Sequence, residues 1–350
     1  FAWLEGGDEP AADLSLAFRP MMLANPLEGP HLDKIFAEPA GDWAAEVKWD
    51  GIRVQAAATD QGAALYSRTG EDVAPAFPDL LDRMQWRGCV DGELLVVVDG
   101  QVQPFAALQT RLNRKRVTAR MLQDAPAHIR AYDLLHDGEQ DLRPLPYADR
   151  RARLAAWAER WRPDRLDISL EVPFDDWTAL AARRDAARGA EEEGLMLKRR
   201  DAPYLSGRPV GPWWKWKRDP LTADCVLMYA QRGHGRRSSF YSDYTFGAWQ
   251  DTPDGPALAP VGKAYSGYTD EELARLDKWV RANMTERFGP VRAVAPGLVL
   301  EVAFDAIQPS PRHRSGVAMR FPRIKRIRWD KPVEEADRLD ALRALAGLAP

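Results

Sequence analysis

The stretch Glu46-Val47-Lys48-Trp49-Asp50-Gly51-Ile52-Arg53 carries the densest set of chemically capable side chains in the chain. A lysine is a nucleophile only as the neutral amine, and a free lysine titrates near ~10.4. Lys48 would therefore need nearby cations or removal from water to shed its proton at neutral pH. Arg53, Lys215 and Lys217 could supply such cations if the fold gathers them. The same eight residues also read as a hairpin turn with exposed charges, because Asp-Gly is a frequent tight-turn pair between strands. The octapeptide alone does not choose between the two readings.

The elements that must position these residues come next. Residues 43–48 and 52–58 are strand-like and flank Asp50-Gly51, and residues 65–68 form a short strand. Phe77, Leu80, Leu81 and Met84 recur at helical spacing, so residues 75–84 are expected to be helical. Residues 89–98 read as a buried strand ending in a second Asp-Gly turn. Helices follow at 105–113, 147–161 and 175–189, with strands at 129–135 and 195–198. Strands and helices without a βαβ rhythm point to an α+β fold. The texture changes near Asp219-Pro220. Strand-like runs at 225–230, 244–249 and 299–307 are interrupted by one helix. Thr269 and Glu272 form its capping box, and Leu273, Leu276, Val280 and Met284 line one face. Short strands with one helix suit a small barrel of the OB type. Residues 334–348, with Leu339, Leu342 and Leu345, read as a helical tail.

A chain of 350 residues accommodates two or three domains. It has no apolar run long enough to span a bilayer as a helix and no signal-peptide pattern. With 49 basic and 52 acidic residues the formal net charge is −3, which argues weakly against a dedicated nucleic-acid binder. The distribution is uneven, however. Residues 1–18 contain Glu5, Asp8, Glu9 and Asp13 and no basic residue. Residues 312–331 hold Arg312, Arg314, Arg320, Arg323, Lys325, Arg326, Arg328 and Lys331 against the single acid Asp330. Cys89 and Cys225 are far apart and read as buried small hydrophobes, which excludes a clustered zinc site and fits a reducing cytoplasm. The first residue is Phe1, so the acidic leader is expected to be the end of an upstream domain.

Further motifs follow Lys48 in order: Ser67-Arg68-Thr69-Gly70, Asp91-Gly92-Glu93, Tyr132-Asp133, Glu193-Gly194-Leu195-Met196-Leu197-Lys198, and Trp214-Lys215-Trp216-Lys217. The last is Arg320-Phe321-Pro322-Arg323, continuing to Arg328-Trp329-Asp330-Lys331. In this order they resemble the covalent nucleotidyltransferases (DNA ligases, RNA ligases and mRNA capping enzymes) over residues 20–332. The Arg-Phe-Pro-Arg opening and the arginine run resemble DNA ligases in particular. The texture of residues 18–24 resembles bacterial ATP-dependent repair enzymes.

The resemblance implies an α+β, ATP-grasp-like adenylyltransferase domain over residues 18–218 and an OB-fold domain over 219–332, with a leader at 1–17 and a helical tail at 333–350. It implies that Lys48 attacks the α-phosphate of ATP and becomes a lysyl-AMP, and that the AMP passes to the 5′-phosphate of a nick before the 3′-OH displaces it. Glu46 would read the adenine amino group, Tyr132 would stack on the base and Met196 would cover its other face. Arg53 and Arg68 would hold ribose and phosphates, with Lys215 and Lys217 as neighbouring cations. Glu93 would serve the nucleotide and, with Glu193, the Mg²⁺ (Mn²⁺ as a substitute). Arg320 and Arg326 would belong to a basic clamp that orients pyrophosphate.

The implied partners are ATP, nicked duplex DNA and an upstream DNA-binding domain, for a monomer in the bacterial cytoplasm. ATP is expected rather than NAD, because the chain shows no cysteine cluster and residues 1–20 are too short for an NAD-specific domain. The loop Arg232-Gly233-His234-Gly235-Arg236-Arg237 is a candidate phosphate contact. Of Trp213, Trp214 and Trp216, at least two are expected in the core. The alternatives are an RNA ligase or capping-type enzyme, which would share Lys48, and a non-catalytic nucleic-acid binder, which would not need Lys48, Glu93 and Glu193 together.

Overall fold

Asp50 and Gly51 do not close a hairpin. In the computed structural model the strands on either side, Trp43–Trp49 and Ile52–Thr59, belong to different sheets, and the Asp-Gly step carries the chain from one to the other. The Asp50 N–H donates to the Glu191 carbonyl at 3.0 Å. Gly51 is required by close approach: a Cβ there would lie 2.5 Å from the Leu94 carbonyl oxygen and 2.8 Å from Glu93 Cγ. The structure describes residues 16–112, 114, 117–186, 191–233, 235 and 238–348. The acidic leader up to residue 15 lies outside these. So do His234, Arg236 and Arg237 of the candidate phosphate loop, and residues 187–189 of the helix expected over 175–189, which is helical over Trp177–Ala186; the helix expected over 105–113 ends already at Gln109.

The chain divides into two units, Phe1–Arg218 and Asp219–Pro350. The first unit is α+β. One of its sheets runs Asn25–Pro26, Trp213–Lys217, Glu192–Arg199, Trp43–Trp49 in spatial order. The other runs Gly62–Ser67, Ile52–Thr59, Gly88–Val98, Ala127–His136, Leu166–Ile168. Neighbours within both are antiparallel except at Asn25–Pro26 and Leu166–Ile168. The helix Tyr147–Trp161 buries Leu154 and Trp157 in a core with Val54, Leu65, Leu94 and Leu134 of the second sheet. The helix Trp177–Ala186 packs Trp177 and Leu180 on Trp43, Leu195 and Leu197 of the first. Met22, Ala24, Ala57, Cys89, Leu135, Tyr204 and Trp213 form a further cluster drawn from both sheets. Trp214 and Trp216 are core residues as well.

The helix expected over residues 75–84 is broken into a 3₁₀ turn, Ala74–Ala76, and a single helical turn, Pro78–Leu81. Pro78 pushes the residue before it out of the helical region, and Phe77 sits at φ −134°, ψ 50°. Two ion pairs, one fully buried and one with a buried arginine, brace the unit. Arg150 is bidentate to Asp133 at 2.8 and 2.9 Å. Arg111 grips Asp79 and the carbonyls of Ala76 and Ala125.

In the second unit an antiparallel sheet runs Gly255–Ala264, Tyr241–Thr252, Leu221–Arg232, Val291–Val294, Met284–Phe288. Val299–Phe304 pairs with Leu221–Arg232, and Arg323–Arg328 pairs with Val299–Phe304. This is the OB-type arrangement. Its helix Asp270–Ala282 starts at the Thr269–Glu272 capping box and buries Leu273, Leu276 and Val280, whereas Met284 already begins a strand. The strand expected over 299–307 breaks at Asp305. Its N–H donates to the Arg320 carbonyl, and Ala306–Pro309 pairs instead with Val317–Arg320. The expected helical tail forms a 3₁₀ turn at Val333–Glu335 and an α-helix over Leu339–Leu345, and Leu339 and Leu342 enter the core of this unit.

Candidate active site

The crossover at Asp50-Gly51 places Lys48 near the end of one sheet and Arg53 near the start of the other. Both line a cavity of about 570 Å³ within the first unit, a volume typical of small-molecule sites. Its wall also includes Glu46, Arg68, Glu93, Tyr132, Met196, Lys215 and Lys217, so sequence candidates spread over 172 positions (46 to 217) are gathered in one place. Strand register explains the grouping. Glu46 faces Met196 and Lys48 faces Gly194 across one pair. Arg53 faces Glu93 across another. Gly194 is held at φ 139°, where a Cβ would strike the Trp216 carbonyl oxygen, so only glycine lets the three strands meet beneath Lys48.

Glu193 is not on the cavity wall, yet its Oε2 accepts a hydrogen bond from Lys48 Nζ and lies 3.5 Å from Lys217 Nζ. At the same end Lys48, Arg68, Arg208, Lys215 and Lys217 accumulate positive charge. Burial first, and then Arg208, Lys217, Lys48 and Arg68, push the Lys215 ammonium below its ordinary value. Such a crowd of cations is suited to a polyanion. Glu93 lies in the same cavity. Burial pushes its carboxyl up to about 8, against the pull of Lys48 and Arg53.

Arg53 is anchored from beneath. Its guanidinium is bidentate to the buried Asp91 at 2.9 and 2.6 Å, and Tyr204 O–H donates to Asp91 Oδ2 at 2.7 Å. Burial works against the Arg53 charge, but Asp91, Tyr132 and Tyr204 outweigh it and raise its pKa further. Glu46 is 1% exposed and accepts from both Lys198 Nζ and Tyr147 O–H at 2.6 Å.

Arg320 and Arg326 lie in the second unit, on the strands Val317–Arg320 and Arg323–Arg328. The basic run there is less bare than it reads. Arg323 pairs with Asp305 at 3.2 Å, Lys325 with Glu301 at 2.8 Å and Lys331 with Asp224 at 2.7 Å. Those acids come from elements distant in sequence.

Four contributors were given no role in the sequence reading, two of which, Lys198 and Asp91, stand inside its motifs. Lys198 stands two residues past Met196, on the same face by strand alternation, a signal that was available. Asp91 stands likewise two residues before Glu93. Arg208 in an irregular loop and Tyr147 at a helix start offered no local signal.

The model of the ATP dependent DNA ligase domain matches residues 21–217, and that of the ATP dependent DNA ligase C terminal region matches residues 237–331. A probable DNA ligase of Koribacter versatilis is 38% identical, covering 92% of this chain and 59% of that protein. A DNA ligase of Haloferax volcanii is 37% identical, covering 89% of this chain and 54% of that protein. The chain thus spans little more than half the length of these relatives. A solved Lig E DNA ligase, 18% identical, superposes with a TM-score of 0.62 over 89% of this chain and 100% of its own, a likeness of fold.

Proposed function

The chain belongs to the ATP-dependent DNA ligase family, and from that membership we propose that it seals nicks in duplex DNA by way of a lysyl-AMP on Lys48. The observation that carries this reading is the position of Lys48 Nζ, in a cavity lined also by Arg53, Arg68, Lys198, Arg208, Lys215 and Lys217 and hydrogen-bonded to Glu193. Neutral Nζ attacks the α-phosphorus of ATP. The N–P bond forms, the bond to pyrophosphate breaks, and Glu193 Oε2, already bonded to Nζ, is the acceptor for the lysine proton. Lys215, Lys217, Arg68 and Arg208 neutralise the phosphates, and Arg53, fixed by Asp91, holds the ribose side. The adenylate then passes to a 5′-phosphate, and the adjacent 3′-OH displaces AMP. Each step is phosphoryl transfer, in which positioning and charge neutralisation do most of the catalysis.

Among the described residues no group of three or more His, Cys, Asp or Glu side chains is set to hold a metal. The pair Glu93 and Glu193 nonetheless fits Mg²⁺, which is usually held by one or two carboxylates together with substrate phosphates and water. When bound there, Mg²⁺ supplies charge neutralisation at the phosphates. Tyr132 and Met196, one from each sheet, are the candidates to flank the base. Arg320 and Arg326 are assigned to pyrophosphate orientation. The reading extends to a monomer acting on DNA in the bacterial cytoplasm. An RNA ligase or capping role is not favoured, since the matching families and relatives are DNA ligases.

Incubation with α-labelled ATP and Mg²⁺, followed by sealing assays on nicked DNA and nicked RNA, tests this reading. A labelled adduct on Lys48 that is discharged into sealed DNA is expected. An unlabelled protein, or sealing confined to RNA, would overturn it.

A further inference from the structure

Lys198 is 1% exposed, and its ammonium is enclosed on several sides. Nζ donates to Glu46 Oε1 at 2.6 Å and stands 4.6, 4.7 and 5.0 Å from the ring centroids of Tyr132, Trp213 and Tyr147. The Tyr132 carbonyl oxygen lies 3.4 Å away. Tyr147 O–H donates to the same Glu46 oxygen at 2.6 Å. Burial, then the Glu46 carboxylate, push the Tyr147 phenol well above its ordinary value, so it remains a donor.

A buried ion pair of this kind is a poor device for stability, because desolvating two charges offsets most of their attraction. It does fix a carboxylate in one orientation. Both bonds land on Oε1, and Oε2 has no protein partner among the described residues, while Glu46 and Lys198 both line the cavity. A carboxylate so held is an acceptor only. It welcomes an N–H and repels a carbonyl oxygen.

We propose that Lys198, braced by Tyr147, is the positioning residue that sets base selectivity. It holds Glu46 so that Oε2 offers the base edge an acceptor alone, admitting a purine with an exocyclic amino group and rejecting one with a carbonyl there. The inference rests on the ligase reading and assigns the base discrimination to a pair rather than to Glu46 by itself. Without the ammonium, a buried carboxylate takes up a proton or turns away, and either change blunts the distinction between amino and carbonyl.

The test compares covalent adduct formation from labelled ATP and from labelled ITP, which differ at that edge. It uses the full chain and its Lys198→Met, Lys198→Arg and Tyr147→Phe variants. Lys198→Met is expected to lower the ATP-to-ITP rate ratio by at least about tenfold, since a site built around a hydrogen bond discriminates strongly only while its polar group stays committed. Lys198→Arg should restore most of the ratio, and Tyr147→Phe should lower it a few-fold. A merely structural lysine would slow both nucleotides equally and leave the ratio unchanged, which would overturn the proposal. If Lys198→Met does not fold, Tyr147→Phe decides, and a wild-type ratio there overturns it. A wild-type chain that forms no adduct with either nucleotide overturns the ligase reading itself. An adduct with ATP and an unmoved ratio in the variants overturns this inference alone.

Discussion

Lys48 stands opposite Gly194 in the antiparallel pair Trp43–Trp49 and Glu192–Arg199, and its Nζ donates to Oε2 of the adjoining Glu193. The acceptor is thus in contact with the amine that must lose a proton. Lys48→Ala is expected to abolish the labelled adduct while leaving the thermal transition in place. Lys48→Arg should be equally inactive, because a guanidinium stays protonated. Adduct formation by either variant, read by denaturing electrophoresis after α-labelled ATP, would assign the nucleophile elsewhere.

The second prediction concerns the second unit. Arg320→Ala combined with Arg326→Ala should slow reaction with ATP by about a hundredfold, the order expected for removing charge-stabilising donors. Sealing of a nick that already carries AMP on its 5′-phosphate should fall much less, because pyrophosphate takes part only in the first step. Equal losses in the two assays would count against the assigned role.

The third follows from Glu93, whose carboxyl is pushed up to about 8 by burial. In the unfolded chain this group ionises near its ordinary value of 4.5. Between those two values the folded form binds the extra proton, so folding stability falls as pH rises through the window. Below the window both states are protonated and Glu93 contributes nothing to the slope. Glu93→Gln should therefore melt higher than the wild type at a pH of about 8.5, with the difference shrinking toward a pH of about 5. Melting curves of the nucleotide-free protein at both pH values would check this. A gap that is constant with pH would refute it.

The fourth concerns the pair beneath the site. Asp133 and Arg150 have fully buried side chains, and burial raises the Asp133 carboxyl above its usual range even with Arg150 beside it. Arg150→Met leaves that carboxylate without its partner and should destabilise the first unit by about 3–5 kcal/mol. Adding Asp133→Leu should return a large part of the loss. Chemical denaturation of the single and double variants would show it. A double variant as unstable as the single one would mean that the pair's geometry, rather than the stranded charge, is what matters.

The sequence by itself determined the parts list. The order of the short motifs was legible because each joins distinctive residue types at fixed spacing: an amine at Lys48, carboxylates at Glu93 and Glu193, and a glycine at Gly194. The α+β character and the Thr269–Glu272 cap were legible for local reasons, strand alternation and helix-end hydrogen bonding. Tertiary structure alone decided what depends on strands distant in sequence lying side by side. Asp50-Gly51 has the chemistry of a hairpin turn, yet it crosses between sheets, because the partner of the Lys48 strand is Glu192–Arg199. The arginine run after Arg312 reads as bare charge, yet Glu301, Asp305 and Asp224 neutralise much of it from neighbouring elements. Lys198 reads as an ordinary strand residue, and only burial among Glu46, Tyr132, Tyr147 and Trp213 turns it into a candidate for base selection. The local residue type fixes what a group can do, while which groups face each other is set by pairing and packing over long chain distances.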